Sequence, residues 1–157
     1  MKDMSVCQVE LQRHWNRFIK TLPLNFKIMK QLKFDVPIFD IEVILIQVES
    51  IDDKDSVLEL MKGYNASKDI LKELNDTISD EDCDGASTFW NSKMHRAITV
   101  FYEMEDQERK DICYAHEKRH IEDRILEFCG VNDRETAGYL AGWLMPYFNK
   151  LNKESKL

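Results

Sequence analysis

Two histidines and a glutamate form the segment of this sequence that is best suited to metal chemistry. His116, Glu117 and His120 lie in the pentapeptide HEKRH, which has the pattern H-E-x-x-H. On a helix, residues four apart lie on one face, so both imidazoles can bind one ion. Zinc accepts neutral imidazole nitrogens, and a catalytic zinc keeps one coordination position for water. Glu117 lies about 100° around the helix from His116, where a general base for that water belongs.

A catalytic zinc site also needs a third protein ligand, and Glu135 is the candidate downstream of the motif. It precedes a stretch, 136–148, that contains no charged residue and is expected to form a buried helix. A carboxylate in that place can bind zinc, or it can reach back to Asn132 in a capping box. Tyr139, one turn later, can donate a hydrogen bond to a developing oxyanion or can serve in packing alone.

The path from the motif to Glu135 restricts how the chain can return to the ion. If the metal helix ends at Cys129, that end lies about 13 Å from His120. The chain from there to Glu135 spans up to roughly 20 Å when extended. Glu135 therefore reaches the ion only if 130–134 double back, whereas a simple antiparallel helix hairpin leaves it too far away.

The sequence predicts the elements that position these side chains. A buried strand is predicted at 39–49, where FDIEVILIQVE is rich in β-branched residues. A β-hairpin is predicted from two short runs, Thr88–Trp90 and Ala97–Tyr102. The metal helix is predicted from Asp106 to Cys129, with Gly130 as its stop signal.

Further helices and one loop complete the predicted chain. Helices are expected at 5–20, 26–32, 55–62 and 66–76. Ser67 is expected to cap the fourth of them. The acidic segment 76–85 is expected to be an exposed loop. A last helix is predicted to begin at 132–133 and to end near Met145, before Pro146.

Composition restricts the fold and the partners. With 43% hydrophobic and 32% charged residues, the chain can build a core, and its length suits one domain over 1–157. The predicted fold is α+β, with a small, mainly antiparallel sheet backed by helices. A net charge of −7 without a long basic run argues against nucleic acid as the main partner. No apolar stretch approaches the roughly 20 residues of a membrane span, and no apolar signal region is present, so a cytoplasmic location is expected.

Cys113 offers a different metal arrangement on the same helix. Together with His116 and His120 it follows i, i+3, i+7 spacing, so these residues and one further ligand could form a closed, structural zinc site. The alternative is that Cys113 is a half-buried small residue. The four cysteines include no CxxC pair, which favours reduced thiols.

The HEKRH segment and the later NDRETAGYLAGWLMP segment resemble small gluzincin-type zinc metallopeptidases. They are similar to ImmA/IrrE-type proteins and to compact metallopeptidase-like proteins of phages and mobile elements. In these proteins a glutamate after HExxH opens an alanine-rich helix, which often ends in Leu-Met-Pro, here 144–146. The resemblance covers roughly 87–148 and implies a zincin-like fold with a strand directly before a central metal helix. It also implies the zinc ligands His116, His120 and Glu135 and the general base Glu117.

The sequence thus predicts a zinc-dependent metallopeptidase whose peptide or protein substrate lies along an exposed edge of strand 97–102. Two alternatives stay open. One is a catalytically inactive binding module of the same fold, such as a regulator from a mobile element, which the charges of Lys118 and Arg119 favour. The other is the structural zinc protein that uses Cys113. Asp123 is expected either to orient a ligand or to pair with Arg119.

Overall fold

The computed structural model describes residues 30–48, 54–78, 85–102 and 104–154, and within these ranges the chain forms four strands and four helices. The strands are β1 (Lys30–Val36), β2 (Ile41–Gln47), β3 (Ala86–Asn91) and β4 (Arg96–Phe101). The helices are α1 (Lys54–Gly63), α2 (Lys68–Ile78), α3 (Gln107–Cys129) and α4 (Arg134–Glu154). The fold is therefore α+β, as predicted. The helix expected at 5–20 lies outside the described residues.

The four strands form one mixed sheet in the order β1-β2-β4-β3. Each outer strand is antiparallel to its neighbour, and β2 and β4 pair in parallel at the centre. The strand predicted at 39–49 is confirmed as β2. The predicted hairpin is confirmed as β3 and β4.

Helices cover both faces of this sheet. Successive side chains of a strand point to opposite faces, and in β2 Val43 and Leu45 pack toward α3 and α4. Ile44 and Ile46 pack toward α1 and α2 on the other face. Because both faces are covered, the sequence of β2 is almost continuously apolar rather than alternating.

Residues 30–32 belong to β1, so the helix predicted at 26–32 is wrong for them, and 26–29 lie outside the described residues. Leu32, Phe34 and Val36 alternate with exposed polar residues, which is the period of a strand with one buried face. A turn at 37–40 then returns the chain into β2. The pairing partner in β2 therefore decides the structure of this short segment.

The short helices between the two hairpins are confirmed as α1 and α2. Ser67 caps α2, since its Oγ accepts a hydrogen bond from the backbone N–H of Ile70 at 3.2 Å. Residues 76–78 of the predicted acidic loop form the last turn of α2. Of the rest of that loop, Gly85 alone lies among the described residues, directly before β3.

The ends of α3 follow their sequence signals. The side chain of Asp106 caps the first turn. Gly130 has φ 66°, and its N–H donates to the carbonyl oxygen of Glu127 at 3.2 Å. The N–H of Val131 donates to the carbonyl oxygen of Leu126 at 2.9 Å, which completes a Schellman motif. This motif ends α3 at the predicted residue and starts the return of the chain.

The last helix, α4, continues to Glu154, so the predicted end near Met145 is wrong. Pro146 lacks an N–H and costs a helix interior roughly 3 kcal/mol. Beyond it, Phe148 and Leu151 are both buried in the core. Burial of such side chains contributes about 1.5–3 kcal/mol each, which offsets the cost of the proline.

Only one face of α4 is buried, which corrects the expectation of a buried helix. Leu140 and Leu144 lie in the core, whereas Tyr139 and Trp143 are exposed. The stretch 136–148 therefore lacks charged residues without being fully buried. Within the described ranges, no helix combines the length and the apolar character that are needed to cross a membrane.

Alanine substitution should have opposite effects at Gly130 and Gly142. Gly130 adopts the left-handed conformation, so Gly130→Ala should lower the free energy of unfolding by about 1–2 kcal/mol. Gly142 lies inside α4, and a Cβ there would meet no atom within 4 Å. Gly142→Ala should therefore raise the free energy of unfolding by roughly 0.5–1 kcal/mol. Urea denaturation measures both changes, and a stabilising Gly130→Ala would contradict the Schellman motif.

Candidate metal centre

His116 and His120 face each other across one turn of α3. Their Nε2 atoms are 2.9 Å apart, and the two rings meet edge to face with centroids 4.4 Å apart. Both side chains are exposed to solvent. The expectation that the two imidazoles project from one helix face is confirmed.

Glu117 is the third member of this group, and it is buried. Its position on α3 turns it from the histidines toward the sheet, and it is only 5% exposed. Thr88 of β3 donates a hydrogen bond from Oγ1 to Oε2 of Glu117 at 2.6 Å. One carboxylate oxygen of Glu117 and one nitrogen from each of His116 and His120 all lie within 4.8 Å of one another.

These donor atoms fit a zinc ion. Two imidazole nitrogens and a carboxylate form a donor set that zinc accepts. Two nitrogens that each bind one zinc at 2.0–2.1 Å are at most about 4.2 Å apart. The separation of 2.9 Å between the two Nε2 atoms meets this condition. A carboxylate oxygen on the same ion would obey a similar limit, so the 4.8 Å that encloses the three donor atoms supports a contact of Glu117 with such an ion through one water molecule.

The charged residues inside the motif pair with acids on the next turn of α3. Lys118 forms an ion pair with the buried carboxylate of Glu122, and Arg119 lies 3.4 Å from the same carboxylate. Arg119 also binds Asp123 at 2.9 Å, so of the two expected roles of Asp123 the ion pair is the one observed. Because Lys118 lies about 200° around the helix from His116, its charge does not face the histidine pair.

The structure does not bring Glu135 to the histidine pair. Asn152, near the end of α4, donates a hydrogen bond to Asp111, near the start of α3, at 2.6 Å. The two helices therefore form an antiparallel hairpin, and Glu135 lies at its opposite end. Glu135 is exposed and does not belong to the group of donor atoms. Tyr139, one turn further along α4, is 72% exposed, so it is not packed in the core.

Asp133, rather than Asn132, caps α4. Its Oδ1 accepts a hydrogen bond from the backbone N–H of Thr136 at 2.7 Å. This hydrogen bond is the main reason why the pKa of Asp133 lies below its ordinary value. With Asp133 as the cap, Glu135 is the second residue of the helix, so the expected capping box with Asn132 is not the one that forms.

Cys113 lies one turn before His116, but it does not belong to the group of donor atoms. Its side chain is half-buried, and it lies beside Gly85. The non-metal role expected for Cys113, a half-buried small residue, agrees with this position.

Thr88 and Thr99 are residues of this site that the sequence did not reveal. Thr88 is 29 positions away from Glu117 in the chain. The contact arises because β3 packs against α3 and because Thr88 points to that face of the sheet. The sequence did contain one signal for this contact. Thr88 lies in the predicted hairpin that directly precedes the helix with the HEKRH motif.

Comparison of this chain with protein-family models, with curated proteins and with solved structures finds no match. The resemblance to gluzincin-type metallopeptidases therefore rests on the HEKRH and NDRETAGYLAGWLMP segments alone. Accordingly, the group formed by His116, Glu117 and His120 is the feature from which a function can be inferred.

Proposed function

We propose that the protein is a zinc-dependent hydrolase of peptide bonds, with His116 and His120 as zinc ligands. The observation that supports this function is the group of three donor atoms within 4.8 Å of one another. A zinc ion bound there would lower the pKa of a bound water to about 7 and polarise the scissile carbonyl. The two histidines are exposed, which leaves coordination positions open toward solvent, as a catalytic site requires.

In this proposal Glu117 is the general base. Its carboxylate lies close enough to both ring nitrogens to accept a proton from a water that a zinc ion on these nitrogens would hold. It would then return the proton to the amine that leaves when the peptide bond breaks. The hydrogen bond from Thr88 restricts the carboxylate to one orientation, which favours proton transfer at a fixed place.

The edge of β3 is the proposed place for the peptide substrate. The expectation that the substrate lies along 97–102 is wrong, because β4 pairs with a strand on each side. Among the strands that the structure describes, β3 is an outer strand and pairs on one edge only, and Thr88 in this strand contacts the proposed base. A peptide that adds to β3 would gain main-chain hydrogen bonds beside Glu117.

A second candidate is a metal-dependent binding module without hydrolysis. The position of Glu135 favours this candidate. The gluzincin resemblance implies Glu135 as the third zinc ligand, but Glu135 lies at the far end of the helix hairpin and outside the group of donor atoms. In such a module, side chains of a partner protein rather than water would fill the open coordination positions. A zincin-like fold and a cytoplasmic location belong to the same proposal and rest on the sequence.

The purified protein should bind about one zinc ion per chain, and Glu135→Gln should leave the zinc affinity unchanged. Loss of an outer-shell partner of a metal typically costs 10–100-fold in affinity, so loss of a ligand should cost about tenfold or more. Competition with a chromophoric chelator measures the affinity, and Glu127→Gln on the exposed surface of α3 is a matched control. A tenfold loss confined to Glu135→Gln would show that Glu135 reaches the ion, and an absence of zinc binding would contradict the proposed site.

A further inference from the structure

We propose that Thr88 is a positioning residue, which together with Thr99 holds the carboxylate of Glu117 beside the two histidines. This inference rests on the metal site proposed above and extends that site from α3 into the sheet. It assigns to two threonines a role in metal affinity, although neither belongs to the group of donor atoms.

The two hydroxyl groups form a chain whose direction is fixed. A threonine hydroxyl carries one proton, and an ionised carboxylate can only accept. Thr88 Oγ1 donates its proton to Glu117 Oε2 at 2.6 Å. Its contact with Thr99 Oγ1, at 2.8 Å, must therefore be a hydrogen bond that Thr99 donates. The chain runs from Thr99 through Thr88 to Glu117.

Burial makes this chain important for the carboxylate. Glu117 is 5% exposed and Thr99 is fully buried. A buried charge is costly unless it is paired or hydrogen-bonded. The bond from Thr88 meets part of this need, and it engages only one of the two carboxylate oxygens. The other oxygen takes no part in this bond.

Strand register places the two threonines together. Thr88 and Thr99 are direct partners in the antiparallel pair of β3 and β4. Both side chains lie on the face of the sheet that α3 covers, as the contact with Glu117 shows. A shift of one residue in the register would turn Thr88 to the other face. The hairpin thus fixes the orientation of a side chain on the helix that follows it.

The test compares Thr88→Ala with Thr88→Ser and with a control on the same strand. Ser87→Ala is that control, because Ser87 directly precedes Thr88 in β3 and its hydroxyl contacts Tyr102 on the other side of the sheet. Without this hydrogen bond the carboxylate of Glu117 can turn away from the water on the ion, so we expect Thr88→Ala to weaken zinc binding by about tenfold, the low end for outer-shell partners. Glu117→Gln differs, because its amide oxygen still accepts the bond from Thr88 and stays in place beside that water. Thr88→Ser and Ser87→Ala should retain the wild-type affinity. The visible spectrum of bound Co²⁺ should change only in Thr88→Ala, because it reports the ligand geometry directly.

The possible outcomes separate this inference from the metal site itself. Wild-type affinity and an unchanged Co²⁺ spectrum in Thr88→Ala would overturn the role of Thr88 and leave the metal site intact. Equal losses in Thr88→Ala and Thr88→Ser would also overturn it, since the serine keeps the hydroxyl. If the wild-type protein binds neither ion, both proposals are wrong. If circular dichroism shows that Thr88→Ala does not fold, Thr99→Val takes its place, and unchanged zinc affinity in that variant would overturn the hydroxyl chain.

Discussion

Replacement of His116 or His120 by alanine is expected to abolish zinc binding. Each substitution leaves a single imidazole on the helix face, so the loss should exceed the roughly 10–100-fold that an outer-shell change costs. Both side chains are exposed, and surface substitutions usually change the free energy of unfolding by less than about 0.5 kcal/mol. Calorimetric zinc titration measures the first effect, and thermal unfolding without metal verifies the second.

Two control variants make this result specific. His95 lies in the turn between β3 and β4, outside the group of donor atoms, so His95→Ala should keep wild-type zinc affinity. Cys113→Ser should also keep zinc, whereas a structural site that uses Cys113 would lose it. Wild-type affinity in both His116→Ala and His120→Ala would place any bound zinc elsewhere in the protein.

Glu117→Gln is expected to lower peptide hydrolysis by about 10²–10⁴-fold, which is the usual contribution of a general base. The glutamine keeps the shape of the side chain, and its amide oxygen can still accept the hydrogen bond from Thr88. It cannot accept a proton from water, however. Zinc should therefore remain bound while hydrolysis stops. A comparison of peptides in cells that contain either protein should reveal a species that accumulates only with the variant.

The Glu117→Gln experiment also separates the two proposed functions. In a binding module, the variant and the wild-type protein should bind the same partners and leave identical peptides in the cell. That result would contradict hydrolysis and favour the second candidate. A loss of zinc in Glu117→Gln, with Glu127→Gln unaffected, would instead make Glu117 a metal ligand rather than the base.

Local sequence signals predicted the helix that carries the histidines. Asp106 and Gly130 satisfy the free backbone groups at the two ends of α3, and such caps act over a few residues. The spacing of His116 and His120 likewise places both rings by helix geometry alone. β2 could be predicted for a similar reason, because its apolar and β-branched residues favour a buried strand.

Elements that depend on distant partners could not be predicted in this way. Residues 30–32 form a strand because β2 lies beside them. α4 passes Pro146 because Phe148 and Leu151 have core positions to fill. The place of Glu135 depends on the antiparallel packing of α4 against α3, which no residue near Glu135 determines.

The parallel pairing of β2 with β4 has a consequence for how the protein folds. The ion pair between Glu42 and Arg96 joins these strands across 54 positions of the chain, and closing a long loop has a high entropic cost. We therefore expect the two antiparallel hairpins to form early and to join late. The histidine pair needs only one turn of α3, whereas the bond between Thr88 and Glu117 needs the docked sheet. In the proposed site, a metal ion could thus bind the two histidines on a partly folded chain, whereas Glu117 would reach its place beside them only when folding is complete.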